Sequence, residues 1–479
     1  MKKLSQICKR LCVCETNVSD DYDVTGITTD SRTVEKGNVF VVTEGNEKYI
    51  KDAINRGAVC LLAEKAYKEP CVKIKSLREG LSLACSDFYD NPEKKVKIIG
   101  VVGTNGKTSV THILNEIFKP YKKTAVIGTL GIFVDGEKID NPMTTPDPPV
   151  LFRTLAKAAE RNVEYVFCEI TAHAIFFEKM HGIRCEICVF TNVSRDHLDF
   201  FDNMQNYAKI KRAYFCKENV KIGVINADDE NGQAILNDSA ICSVSYGIDE
   251  PSDVFAIDIG YDEGIKFIAN AFDDIIYVST RFEGKFNVYN ILAAITVARL
   301  VGISPRDVQT RLRMMATIEG RAECVSVKPK VVVDFAHTPD GLANILSSLK
   351  ETTNGKIIAV FGCGGNRDRG KRPIMAKIGT ELADLCVFTN DNPRYENPTE
   401  IIRDMVSGLD EQSMDDGKYV VIEDRTEAIN FAVRLATDDD CVVVCGKGGE
   451  DYMDIEGKKY PYSDKSVCLT ALENKTCRQ

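Results

Sequence analysis

Apolar positions follow two rhythms along this chain, adjacent β-branched runs and residues spaced three and four apart, and the two alternate. In KIIGVVGTNGKTSVTHILNEIF, Lys97 to Phe118, the run Ile98, Ile99, Val101, Val102 suits a buried strand, and Val110, Ile113, Leu114 and Ile117 recur at helical spacing. The pattern predicts strand, glycine loop, helix. Downstream, TAVIGTLGIFVDG predicts a strand, LFRTLAKAAERN a helix, VEYVFCEITAHAI and CVFTNVS buried strands, and NMQNYAKIKRAYF a helix. KIGVINADDE predicts a strand, DVFAIDIGYDEGIKFIA a strand-rich excursion and FNVYNILAAITVARLVG a helix. The prolines of NPMTTPDPP argue against a helix there. Upstream, GITTDSRTVEKGNVFVV reads as turn and strand, and YIKDAINRGAVCLLAE as helix. Past residue 325, VKPKVVVDFAHTPDGL, IIAVFGCGGNRDRG, DLCVFTNDNPRYENP, YVVIEDRTEAINFAVRLA and CVVVCGKGGEDYM repeat the alternation. Such a chain belongs to the α/β class with mostly parallel sheets, and we divide it into units 1–95, 96–325 and 326–479. No internal repeat is evident.

With 479 residues and 44% hydrophobic content, the chain is long enough to bury two or three cores. A formal net charge of −10 argues against a general nucleic-acid binder and leaves room for local basic loops. The opening MKKLSQICKRLCVCETNVSD lacks the apolar core and cleavage site of a signal peptide, and no apolar run reaches membrane-spanning length. We therefore expect a cytoplasmic monomer without membrane insertion. The 18 cysteines are scattered through strand-like runs, which suits a reduced chain. Cys185 and Cys188 form a CxxC with no second half, so they read as strand.

The glycine loop brings chemistry. Gly103 and Gly106 let backbone N–H groups turn inward, the helix start adds its positive end, Lys107 adds a full charge, and Thr108 suits Mg²⁺. The spacing departs from the common phosphate-binding pattern, because Val101 stands five residues before Gly106; an ordinary glycine turn is the alternative. Strand ends carry further candidates: Thr144 and Thr145, Glu169, then Asp196, His197 and Asp199. Glu169 and His197 read as metal ligands in that company, or as a helix cap and a core histidine taken singly. Asp30, Ser31 and Arg32 suit a phosphorylated ligand or a surface turn closed by a salt bridge. Lys209, Lys211 and Arg212 read as a solvated face, and Asn287 and Asn290 share a helix face fit to read adenine or to cap the helix. In the last unit Asp334 and His337 sit at a strand tip, and Arg367, Arg369, Lys371, Arg372, Arg394 and Lys447 gather in loops suited to carboxylates or phosphates.

In order, GTNGKTS, TTPDP, TNVSRDHLDFF, KRAYF, INADD, FNVYN, GRAE, DFAHTPDGL, GCGGNRDRGKRP, DNPRYENP and GKGGED resemble the motifs of the Mur ligases of peptidoglycan synthesis, over nearly the whole chain. The branch that adds the third amino acid is the most similar. The resemblance implies a UDP-sugar-binding domain, a central P-loop ATPase domain and a C-terminal dinucleotide-fold-like domain. It implies UDP-N-acetylmuramoyl-dipeptide and meso-diaminopimelate as substrates, with ATP and Mg²⁺. ATP phosphorylates the peptide carboxylate, and the incoming amine then attacks the acyl phosphate. By the same resemblance Lys107, Lys211 and His197 are catalytic, and Gly103, Thr104, Asn105, Gly106, Lys107, Thr108, Ser109, Asn287, Asn290, Arg321 and Asp334 bind ATP. Thr108 and Glu169 hold one Mg²⁺, and His197 with a carbamylated Lys211 another. Ser31, Arg32, Thr144, Thr145, Thr171 and Lys179 bind the UDP-sugar peptide, and Arg367, Asn392, Arg394, Gly446 and Glu450 the amino acid, with Glu450 pairing the distal ammonium. The arginine of DNPR favours diaminopimelate over lysine, which offers no distal carboxylate. The chain departs from the family pattern in EGNEKYI, in EITAHAIFFEKM, where Phe177 and Lys179 replace a polar residue and an arginine, and in GKGGE, which lacks a histidine before Glu450. The alternatives are a divergent member adding L-lysine or another amino acid to a modified acceptor, and a non-catalytic nucleotide-binding scaffold.

Overall fold

A computed structural model describes residues 1–139, 143–238, 240–261, 264–409 and 417–476. The first sheet holds β1 (Val13–Thr16), β2 (Gly26–Thr28), β3 (Asn38–Val41), β4 (Cys60–Ala63) and β5 (Cys71–Ile74) in the order β1-β5-β4-β3-β2, parallel except for β1. Helices α1 (Ile50–Asn55) and α2 (Leu77–Phe88) accompany it. The expected single helix over YIKDAINRGAVCLLAE is therefore divided. Gly57, at φ +105°, turns the chain after α1, and the four buried residues of β4 enter the sheet. A short, continuously apolar run suits a buried strand as well as a helix, and the glycine decides.

The central sheet has eleven strands. They are β6 (Lys97–Val102), β7 (Thr124–Gly128), β8 (Gly131–Val134), β9 (Glu137–Ile139), β10 (Tyr165–Ile170), β11 (Cys185–Phe190), β12 (Val220–Asn226), β13 (Cys242–Gly247), β14 (Val254–Tyr261), β15 (Ile265–Ala271) and β16 (Asp274–Ser279). Their order is β9-β8-β7-β10-β6-β11-β12-β13-β14-β15-β16, parallel from β7 to β14 and antiparallel at both ends. Helices α3 (Lys107–Phe118), α4 (Pro148–Glu160), α5 (Met204–Ala213), α6 (Lys285–Leu300) and α7 (Pro305–Met314) are among those that pack in this unit. Two expectations change. TAVIGTLGIFVDG is the hairpin β7–β8, with Gly131 at φ +114° just past its two-residue turn. The prolines near Thr145 do not exclude a helix: Pro148 and Pro149 open α4, where the first N–H groups have no intrahelical partner to lose.

The third sheet holds β17 (Glu323–Val327), β18 (Lys330–Asp334), β19 (Ile357–Phe361), β20 (Leu385–Phe388), β21 (Tyr419–Val421) and β22 (Cys441–Cys445) in the order β17-β18-β22-β19-β20-β21, with only β17 antiparallel. Helices α8 (Pro339–Thr352), α9 (Lys371–Leu382), α10 (Pro398–Val406), α11 (Arg425–Leu435) and α12 (Asp464–Thr476) cover it, leaving an apolar cluster on each face. Leu62, Leu81, Phe152 and Ile170 belong to one apolar cluster, so the first two sheets share a core. In the central sheet β6, β10 and β11 run parallel and end together, as do β18, β19, β20 and β22 in the third, so the loops beyond their carboxyl ends converge. Among the described residues all 17 cysteines are free, and no helix is long and apolar enough to cross a membrane.

Candidate active site

The loop between β6 and α3 is shaped by what surrounds it. Gly106 lies at φ +86°, and a side chain there would strike Asn290 Oδ1; one on Gly103 would strike Thr191 Oγ1. Lys107 Nζ donates to Gly103 O and Thr104 O, both at 2.8 Å, which holds the ammonium over the loop. Burial pushes the Lys107 pKa down, opposed by Glu169 and Asp196. Asn105 N donates to Asn192 Oδ1 (2.9 Å), while Thr108 and Ser109 are buried in the first turn of α3. Asn287 and Asn290 are buried and bonded to each other (2.9 Å), and Asn287 Nδ2 donates to Glu283 O (2.9 Å).

Glu169, the penultimate residue of β10, is fully buried. Its Oε2 accepts from Thr108 Oγ1 (3.1 Å) and Thr129 Oγ1 (3.0 Å), and its Oε1 from Thr129 N (2.9 Å). Arg321 Nη2 donates to Thr108 Oγ1 (2.9 Å) from the segment leading to the third sheet, with its guanidinium 4.2 Å from the centre of the Phe335 ring. Thr145 Oγ1 donates to Glu169 O (2.8 Å) and lies 3.3 Å from Thr171 Oγ1, and Thr144 Oγ1 lies 3.1 Å from Thr129 Oγ1. Lys179 pairs with Asp147 at 2.7 Å. The hydroxyls expected at the acceptor therefore stand beside Glu169. Ser31 and Arg32 sit in the first unit, in a 3₁₀ turn between β2 and β3, where Arg32 pairs with Asp30 at 2.8 Å as in the surface-turn reading.

A second group lies on the other side of the loop. Lys211 is fully buried, its Nζ donating to Thr104 Oγ1 (2.8 Å) and standing 4.0 Å from the Tyr207 ring centre. Burial, reinforced by Lys107, holds its pKa well below the usual lysine value, which corrects the solvated-face reading. His197 Nε2 is 3.3 Å from Asp196 Oδ2, and His337 Nε2 is 3.8 Å from the same oxygen. Burial drives the His197 pKa down to about 3; Asp196 opposes this, and His173, His337 and Lys107 add to it, so the imidazole is neutral and able to ligate. Burial pushes the Asp196 carboxyl up, but His337, His197 and Lys371 outweigh it and hold it well below the usual range.

Loops of the third sheet close over this. Asn105 Nδ2 donates to Asp340 Oδ2 (2.8 Å), Lys371 Nζ to His337 O (2.8 Å), and Arg195 pairs with Asp368 at 3.1 Å. Asp334 accepts from Ala322 N (2.6 Å) and Ala336 N (2.7 Å), clamping the segment that carries Arg321; burial raises its pKa. Beside these contacts runs a groove of about 920 Å³, with Asp199 and Asn203 on one side and Arg367 and Glu396 on the other. Beyond Arg367, Asn392 Nδ2 donates to Glu450 Oε2 (2.9 Å), and Lys447 Nζ donates to Asn392 Oδ1 (2.9 Å) and Glu450 Oε2 (3.2 Å). Arg394 Nη1 donates to Gly365 O (2.8 Å), and Gly446 lies at φ +118° with no room for a side chain against Asp391. Arg372 departs from expectation. It is fully buried against Glu396 (3.0 Å) and Asp404 (2.7 Å), so it braces the loops instead of facing a ligand.

Comparison with known proteins matches residues 101–298 to the description "Mur ligase middle domain" and residues 320–448 to "Mur ligase, glutamate ligase domain". A relative in Parabacteroides distasonis, named UDP-N-acetylmuramoyl-L-alanyl-D-glutamate--2,6-diaminopimelate ligase, is 37% identical over 465 residues, 93% of this chain and 94% of its own. The chain belongs to the Mur ligase family. A Clostridium botulinum Mur ligase of the same name is 35% identical, covering 91% of this chain and 93% of the relative. A solved structure bearing that name is 28% identical with a TM-score of 0.68, over 99% of both chains. The MurF ligase of Thermotoga maritima, solved with ADP, shares the fold at 17% identity and a TM-score of 0.66, covering 96% of this chain and 99% of its own.

As a Mur ligase the protein is an ATP-dependent, amide-bond-forming enzyme, and Mg²⁺ is typical of the family. The donor set fits. Thr108 and Glu169 offer a hydroxyl and a carboxylate at the mouth of the glycine loop, and His197 and Lys211 flank its other side. Among the described residues no three His, Cys, Asp or Glu side chains gather closely enough to hold a metal alone. Asp340, Glu396, Asp454 and the Arg425–Asp464 pair escaped the sequence reading. Asp340 and Glu396 stood within DFAHTPDGL and DNPRYENP, motifs already singled out; Asp454 and the Arg425–Asp464 pair carried no local signal.

Proposed function

We propose that this protein joins meso-diaminopimelate to UDP-N-acetylmuramoyl-L-alanyl-D-glutamate with ATP, through an acyl phosphate, as a cytoplasmic monomer in peptidoglycan precursor synthesis. The units 1–95, 96–325 and 326–479 take the UDP-sugar, ATP and the amino acid. What supports the reading most is the loop cluster of the third sheet, where Arg394 Nη1 donates to Gly365 O, Asn392 Nδ2 donates to Glu450 Oε2 and Gly446 packs on Asp391. A distal carboxylate gives that guanidinium a partner, and lysine has none to offer. The names of the relatives support the same choice.

Two anions, the peptide carboxylate and the γ-phosphate, must approach each other, so fixed positive charge has to await them. Gly103 to Ser109 cradle the phosphates, Lys107 and Arg321 supply charge, and Asn287 and Asn290 seat the adenine side. Thr144, Thr145, Thr171 and Lys179 orient the acceptor carboxylate, with Ser31 and Arg32 holding the nucleotide end. A carboxylate oxygen attacks the γ-phosphorus and ADP leaves; the amine nitrogen then attacks the acyl carbon, loses a proton, and phosphate leaves. Mg²⁺, when held by Thr108 and Glu169 and by His197 with carbamylated Lys211, neutralises phosphate charge. Asp334 keeps Arg321 aimed at Thr108.

The test is phosphate release across a panel of acceptors and amino acids. Turnover is expected only with both the UDP-dipeptide and meso-diaminopimelate, and equal use of L-lysine would refute the specificity. Arg394→Ala should raise KM for diaminopimelate by roughly 100-fold with KM for ATP nearly constant; parallel losses in both would remove Arg394 from the pocket.

A further inference from the structure

Two of the three hydrogen bonds on the Glu169 carboxylate come from one residue. Thr129, in the turn between β7 and β8, donates its backbone N–H to Oε1 (2.9 Å) and its hydroxyl to Oε2 (3.0 Å). One donor to each oxygen from a single residue spans the fork of the carboxylate, the place a cation gripped by both oxygens would take. The turn comes so close that a side chain on Gly128 would strike Oε1. Thr144 Oγ1, 3.1 Å from Thr129 Oγ1, donates to it, since the single Thr129 hydroxyl proton is already committed. The Thr108 hydroxyl also donates to Oε2 (3.1 Å). A carboxylate offers about four lone-pair sites. Among the described residues both sites on Oε2 are thus filled and one of the pair on Oε1, which leaves a single open site on a fully buried side chain.

We propose that Thr129 makes Glu169 a one-oxygen ligand, and so fits the site to a small octahedral cation such as Mg²⁺ or Mn²⁺ against Ca²⁺. This rests on the reading above that Glu169 ligates the metal together with Thr108. Ca²⁺ gains from carboxylates that bind through both oxygens, at longer distances and higher coordination number. Mg²⁺ demands a near-ideal octahedron of short bonds, which the narrow bite of a two-oxygen grip distorts. With its fork occupied, Glu169 serves the second kind of ion and cannot close on the first. Thr129 acts through Glu169, as a positioning residue.

The test is metal binding to the full-length protein with saturating ADP, where free Mn²⁺ is counted by its EPR signal and Ca²⁺ is added as competitor. In Thr129→Ala the hydroxyl side of the fork opens, and Ca²⁺ should displace Mn²⁺ at a roughly 10-fold lower concentration than from the wild type. Thr129→Ser keeps both donors and should stay within about 3-fold of the wild type. A threonine that only props the turn would, once cut to alanine, weaken Mn²⁺ and Ca²⁺ by the same factor. That result, or no change for either ion, overturns the proposal. Glu169→Gln separates this from the reading beneath it. Unchanged Mn²⁺ affinity in that variant removes Glu169 from the metal shell, whereas a loss there with unaltered selectivity in Thr129→Ala defeats the Thr129 assignment alone.

Discussion

A lysine with no exposed surface, whose Nζ donates to a threonine hydroxyl and lies against a tyrosine ring, has little to stabilise its charge. Lys211 is in that position, and the downward push of burial on its pKa favours the neutral amine, the form that adds CO₂. A carbamate formed there would place an anion beside Lys107 and His197. The expected signature is a carbamate carbon in NMR spectra of protein equilibrated with ¹³C-bicarbonate near pH 8. It should be absent from Lys211→Ala and fade as pH falls, because protonating the amine withdraws the nucleophile and acid reverses the adduct. Full activity in CO₂-free buffer with no labelled carbon would dispose of the idea. Sequence alone made Lys107 legible, since glycines and a helix start announce a phosphate loop. It did not separate Lys211 from its neighbours in KIKR: Lys209 and Arg212 are exposed, and only helical phase, four residues from buried Tyr207, turns Lys211 inward.

At the scale of elements, the loops that make up the amino-acid pocket are held from behind. Arg425, the first residue of α11, and Asp464, the first of α12, form an ion pair with no exposed side-chain surface, at 2.7 Å. The same guanidinium donates to Asn390 O (3.1 Å) just past β20 and to Cys445 O (2.9 Å) at the end of β22, the strands that lead into DNPR and GKGGE. Burial alone would lower the Arg425 pKa, but Asp464 raises it, so the pair is charged. Asp464→Asn leaves that charge buried without a counterion and should cost about 3–5 kcal/mol, read as a fall in unfolding midpoint of roughly 10 °C. Replacing both residues by apolar ones of similar volume should recover most of the loss. A change below about 1 kcal/mol for the Asn variant would show that water reaches the pair. The alternation of strands and helices around this pair was readable from periodicity, as were the ligand-facing loops. The pair itself was not, because its partners lie 39 residues apart and neither has a local motif. The hairpin β7–β8 and the start of α4 were misread for a related reason: single glycines and prolines set element boundaries that apolar patterning leaves open.

Across the whole molecule, the order of motifs made the three sheets legible, but not how the second and third meet. That meeting centres on the segment Glu319 to Arg321. On one side Arg321 donates to Thr108 of the phosphate loop; on the other the Gly320 backbone packs against Gly448 and Gly449 so closely that a side chain on Gly320 or Gly448 would collide. Gly449 also lies against Leu130, in the β7–β8 turn, and against Glu319. Two residues past Gly448 stands Glu450, part of the amino-acid pocket. A ligand that orders either loop therefore orders the segment between them, and the second ligand finds part of the ordering done. In calorimetry, a saturating non-hydrolysable ATP analogue should tighten meso-diaminopimelate binding, roughly 5- to 100-fold for a coupling of about 1–3 kcal/mol, and diaminopimelate should tighten the analogue by the same factor, since linkage is reciprocal. Gly448→Ala, which forces a side chain onto Gly320 and Phe335 at a residue with φ +51°, should bring that factor toward one. Equal affinities with and without the other ligand in the wild type would mean that the segment is a passive connector, and that Arg321 is set by Asp334 alone.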